Sequence, residues 1–287
     1  MAVDLYAHRC VLGVSPPRCS RVSLASFSSG GDGGSDHTKL AKRMRASKTV
    51  REDLIEVRES HSDFRPRDAA TACQRIARHV RSSGITSEID EDRATYQLAL
   101  QAVRRTASGM NAQEVSNTLW AFGTLAEKGI EIDVAAAWAV SRQVPRVAAE
   151  MNTQSMVQTL CGIAILAEKK GVEVDLAAVR AASEQAPRVA AGMKSLYLSK
   201  TMWAMAKLAE MGVEVDAAAV RAMSEQAPLV ADLMKRGEVS VMLWAIAQLE
   251  QKGVEVDAEA MRAVSERAVV VKRAPRHTPT PKLFDRN

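Results

Sequence analysis

Aromatic residues are scarce: Trp, Tyr and Phe together make 4% of the 287 positions. With 47% of residues apolar, the chain can still bury a core, but one made of Ala, Val, Leu and Met. All of these except Val are good helix formers. No run of about 18 apolar residues occurs, so no membrane span is expected. The four cysteines, Cys10, Cys19, Cys73 and Cys161, follow neither disulfide nor metal-ligand spacing, which suits a reducing interior. His8, His37, His61, His79 and His277 never share a helix at ligand spacing, and no metal site is expected. No glycine-rich phosphate loop follows a strand. With no catalytic constellation, neither enzyme activity nor a cofactor is expected.

What the chain has is repetition. Asn117 to Asp133 reads NTLWAFGTLAEKGIEID, and Gln158 to Asp175 reads QTLCGIAILAEKKGVEVD. Lys200 to Asp216 reads KTMWAMAKLAEMGVEVD, and Val241 to Asp257 reads VMLWAIAQLEQKGVEVD. Trp120, Cys161, Trp203 and Trp244 are separated by 41, 42 and 41 residues, and Met110, Met151, Met193 and Met234 by the same intervals. The extra residue in the second copy is one lysine of Lys169–Lys170. A fixed period of this length marks an array of helical units, which presents an extended binding surface. A binding module is therefore expected before an enzyme.

Each copy parses into two main helices. In the first, Asn111 and Glu114 form a capping-box pair. Val115, Leu119, Phe122 and Ala126 make an apolar stripe at helical spacing. Gly129 supplies the left-handed stop, and Asp133 caps the second helix. Pro145, with no N–H to donate, kinks that helix or starts a short third one. Gly171, Gly212 and Gly253, and Asp175, Asp216 and Asp257, repeat these roles. The VEVD tetrads are too short for a sheet and read as turns. Ser141, Ser183, Ser224 and Ser265 recur too regularly for nucleophiles and are expected to bond helix backbone.

The expected architecture is all-α, a right-handed α-solenoid of about 41-residue helical repeats of armadillo/HEAT-like form, with disordered termini. Residues 1–35 read as a transit peptide, because they contain arginines and serines but few acids. Residues 36–67 form a charged linker or helix, and 68–109 a degenerate leading copy with Gly84 as its stop. Residues 110–268 hold the four clear copies, and 269–287 a basic tail. The net charge is +5, yet residues 110–268 carry 16 Lys or Arg against 20 Asp or Glu. The basicity lies in the flanks, where it serves either to steer a polyanion or as a targeting peptide and an ordinary tail.

The segment MNAQEVSNTLWAFGTLAEKG (Met110–Gly129) resembles the start of the octotricopeptide repeat. Its Leu-Trp-Ala core is similar to that of FAST-kinase-like organellar proteins, and it returns as Met202-Trp203-Ala204 and Leu243-Trp244-Ala245. Cys161 departs from the pattern, and the family's later Pro-rich Trp segment is not recognisable. The resemblance spans about residues 110–268. It implies a plastid or mitochondrial protein that binds single-stranded RNA in transcript processing, stability or translation, with a cytoplasmic location as the alternative. A protein-protein scaffold of HEAT/armadillo type is the alternative.

Positions 113, 117, 120 and 124 align on one helix face. The RNA-contact candidates there are Gln113, Asn117, Trp120 and Thr124 in the first copy, and Gln154 and Gln158 in the second. Lys200, Trp203 and Lys207 follow in the third, and Trp244 and Gln248 in the fourth. Amides suit base edges, lysine suits phosphate, and tryptophan either stacks a base or packs between units.

Overall fold

The computed structural model describes residues 42–170 and 172–273. The expected transit peptide at 1–35, the start of the charged segment, Gly171 and the tail beyond 273 lie outside the described residues. Within them the chain is all-helical, with no strand.

After a helical turn at 42–46, the charged segment forms α1 (Val50–Ser60). The leading copy follows as α2 (Pro66–Ser83), a short α3 (Ser87–Glu91) and α4 (Arg93–Thr106). The first copy has α5 (Ala112–Glu127), α6 (Val134–Ser141) and α7 (Val144–Val147). The second has α8 (Thr153–Lys170), α9 (Leu176–Ser183) and α10 (Ala186–Ala190). The third has α11 (Ser195–Glu210), α12 (Ala217–Ser224) and α13 (Ala227–Val230). The fourth has α14 (Arg236–Gln251) and α15 (Ala258–Arg273).

Local chemistry accounts for these boundaries. Asn111 Oδ1 accepts from the Glu114 amide at 2.9 Å, and Glu114 Oε2 accepts from the Asn111 amide at 3.0 Å. The Asp216 carboxylate accepts from the amides of Ala218 and Ala219 at 2.8 and 3.4 Å, filling donors the helix start leaves open. Gly212 stops α11 at φ 81°, where a side chain would be strained. Proline decides whether the second helix is broken. Copies with Pro145, Pro187 and Pro228 have an eight-residue helix and then a short one. The fourth copy has Val269 there instead, and its helix runs unbroken to Arg273, past 268.

The second helix of the leading copy begins after Asp92, which makes no side-chain cap bond there. Asp92 stands 18 residues before Met110, the spacing of the later copies. The irregularity instead lies between Gly84 and Asp92, where α3 is inserted.

The first helices α2, α5, α8, α11 and α14 pack in chain order, each against the next. The second helices form another row, in which the short helix of one copy meets the long one of the following copy. One apolar cluster runs through both rows, and Val115, Leu119 and Phe122 are fully buried in it. Between α5 and α8 the backbones come close, because Gly123 faces Gly162. A Cβ on Gly162 would stand 2.5 Å from the Leu119 carbonyl oxygen. At the front, α1 packs on α2 and α4. At the rear, Leu243 is only partly buried, whereas its counterparts Leu119, Leu160 and Met202 are fully buried.

Candidate nucleic-acid interface

The aligned face of the first helices divides by burial. Gln113 is exposed, while Asn117, Trp120, Gln154, Lys200 and Gln248 are half-buried. Thr124, Gln158, Trp203, Lys207 and Trp244 are buried. Only the first set offers surface to a ligand in this conformation. Contact with the second requires side chains to leave the packed array.

Tryptophan packs between neighbouring units. Trp203 and Trp244 are 7% and 4% exposed, and Trp120 is half-covered by Arg81 from the preceding first helix, 5.9 Å above its ring. That geometry is a cation–π contact, held together by the ring quadrupole. Trp120 is therefore the most accessible indole of the face. Cys161 replaces the indole with a thiol whose Sγ lies 3.6 Å from the Lys200 carbonyl oxygen. A small hydrophobe at that point accompanies the close approach of α5 and α8.

Lys207 is held from three sides. Its Nζ is 3.0 Å from Glu168 Oε1, 2.8 Å from Glu210 Oε2 and 5.2 Å from the centre of the Trp244 ring. Burial works against its charge, but the bonds to Glu210 and Glu168 outweigh this and hold its pKa above the ordinary lysine value. Its charge is thus compensated by protein carboxylates. Glu127 shows the opposite balance. Burial raises its pKa, against the nearby charges of Arg81, Lys169, Lys128 and Lys200. The C-terminal part of this face is accordingly a mixed-charge ladder rather than a positive groove.

Sequence reasoning did not single out Arg81 and Glu168, because both act across the boundary between units. Of the recurrent serines, Ser224 donates to the Arg221 carbonyl at 3.0 Å as expected. Ser265 meets the Met261 sulfur instead, and Ser183 Oγ is buried with no partner. Among the described residues no group of three or more His, Cys, Asp or Glu could hold a metal ion. No helix among them is long and apolar enough to cross a membrane. Comparison with protein-family models gave no match, and none of the curated proteins matched the chain.

Proposed function

We propose that this protein is a non-catalytic binding array, a right-handed α-solenoid of about 41-residue repeats, whose ligand is single-stranded RNA. The observation that carries this reading is the contrast within the first helices. Their packing positions are mostly apolar and buried, while two neighbouring register positions change, one through Gln113, Gln154, Leu196 and Gly237 and the other through Asn117, Gln158, Lys200 and Val241, of which Gln158 and Val241 are buried. A constant frame with changing amides and amines is what modular base reading needs. The likeness to octotricopeptide repeats supports the same ligand class. It also supports a role in plastid or mitochondrial RNA processing, stability or translation.

A protein scaffold is the second reading. The acidic balance of 110–268 favours it, as do the exposed Leu229 and Leu233, each 73% accessible. Co-purification from cells after ultraviolet crosslinking, with and without RNase, separates the two. Covalently attached RNA is expected. Protein partners that survive RNase, with no attached RNA, would transfer the assignment to the scaffold.

A further inference from the structure

The connections between helices give the array two edges of opposite charge. First helices hand over to second helices at residues 82–92, 127–133, 168–175, 210–216 and 251–257, which hold 15 Asp or Glu against 4 Lys or Arg. Second helices hand over to the next first helix at 104–111, 142–152, 184–194 and 225–236, which hold 8 Lys or Arg against 4 Asp or Glu. Contacts keep like edges together. On the acidic edge the Tyr96 hydroxyl donates to the Glu131 carbonyl at 3.2 Å, and Lys252 Nζ to that of Glu210 at 3.4 Å. On the basic edge the contact lies within a copy, where Arg267 Nε donates to the Met234 carbonyl at 3.1 Å. A 16-residue first helix spans about 24 Å between the edges, roughly three Debye lengths at physiological salt. The acidic edge therefore does little to cancel the field of the basic one.

One register position on the basic edge carries Arg105, Arg146 and Arg188, all exposed. Each guanidinium is anchored to backbone at the start of its own copy or, for Arg105, just before it. Arg105 donates to the carbonyls of His61 and Ser62 at 2.7 and 3.1 Å, Arg146 to that of Met110 at 2.5 Å, and Arg188 to that of Met151. Arg146 and Arg188 also donate to the side-chain oxygens of Gln143 and Gln185 at 3.2 Å. Every one of these acceptors is neutral. Among the described residues, none of the three arginines pairs with a carboxylate, unlike Arg93 with Glu131 or Lys207 with Glu168. The column thus sets one fixed, uncompensated cation per unit, at the ~8–10 Å separation of packed helices. The next copy breaks it with Leu229, which is 73% exposed.

We infer that the phosphate backbone of the bound strand docks along this basic edge, on Arg105, Arg146 and Arg188. Arg104, Arg142 and Lys194 flank the column, and the half-buried polar residues of the first-helix face are left to meet bases. The inference rests on the RNA reading for the identity of the strand. Guanidiniums already ordered by carbonyls lose little freedom when they meet phosphate, which favours them over loose lysines.

The test measures binding of the full chain to single-stranded RNA, and separately to linear polyphosphate, across about 50–200 mM salt. One variant combines Arg104→Gln, Arg142→Gln and Lys194→Gln, whose side chains make no hydrogen bond among the described residues. A second combines Arg105→Gln, Arg146→Gln and Arg188→Gln, and if it does not fold, the first variant decides. Each is expected to lower the slope of log affinity against log salt by about 2, a loss of roughly 100-fold at 0.1 M salt. Wild-type RNA affinity and slope in the variants, or loss of binding with Lys200→Gln alone, overturns the edge and leaves the RNA reading standing. Binding of polyphosphate but not RNA, with the same dependence on the variants, keeps the edge and removes the RNA reading. A wild-type chain that binds neither overturns both.

Discussion

The front and rear of the array close the same repeat frame by different means. Between α5 and α8 the backbones touch at Gly123 and Gly162, and Cys161 stands where other copies place Trp. Between α11 and α14 side chains fill the space, with Trp244 buried beneath Lys207. In the front units Arg146 and Arg188 bolt the end of each copy to its own start, whereas Leu229 lies open at the same place. The front end is covered by α1, and the rear face of α14 leaves Leu243 partly open. The comparison teaches that a shared cap-and-turn frame tolerates quite different interfaces. A repeat's period reports the frame and not the interface.

The largest expected effect lies at the front end. Asp53 on α1 is fully buried and accepts from Ser47, with Arg75 Nε at 3.9 Å and His79 Nε2 at 3.5 Å. Burial pushes its carboxyl up to about 7, against the Ser47 bond and the Arg75 charge. The folded chain therefore keeps a proton that an unfolded aspartate releases near pH ~4. This contribution to stability is complete below about pH 4 and is lost as pH rises through about 7. Asp53→Asn cannot ionise. Its unfolding free energy from urea titration should exceed wild type at pH 8 but not at pH 4, by at most about 4 kcal/mol. An equal difference at both pH values would mean that Asp53 does not titrate in the fold.

Gly162→Ala should cost about 1–3 kcal/mol, because its Cβ would strike the Leu119 carbonyl and force α5 and α8 apart. The matching rear change, Ala245→Gly, should cost only about 1 kcal/mol through helix propensity. Chemical denaturation of the two variants reads the comparison directly, and a reversed order would remove it. Arg188→Leu copies the rear solution into the front and should cost about 1 kcal/mol through the lost bond to Met151. The reciprocal Leu229→Arg should gain no more than about 0.5 kcal/mol, seen as a small rise in midpoint. A loss on Leu229→Arg would show that the third copy cannot accept the front clamp.

What was legible in the chain was local. Gly129, Asp133 and Pro145 act within a few residues of themselves, so their helix stops, caps and breaks follow from residue chemistry alone. Asn111 with Glu114 is the same case. The exposed and buried halves of the candidate face were not legible, because burial there depends on the neighbouring unit. Lys200 and Lys207 look alike in sequence, yet Glu168 of the preceding first helix engages only Lys207 among the two. The charged run before Pro66 read as a linker or solvated helix, and Asp53 within it lies at 0% exposure. Its partners Arg75 and His79 are too distant in sequence for periodicity to connect them.

The proposed ligand is single-stranded RNA. The most direct measurement is a filter-binding titration of the chain with single-stranded RNA at low and moderate salt. Measurable affinity that falls steeply as salt rises is expected, because phosphate contacts release counterions. No affinity at low salt, or an affinity indifferent to salt, would contradict it.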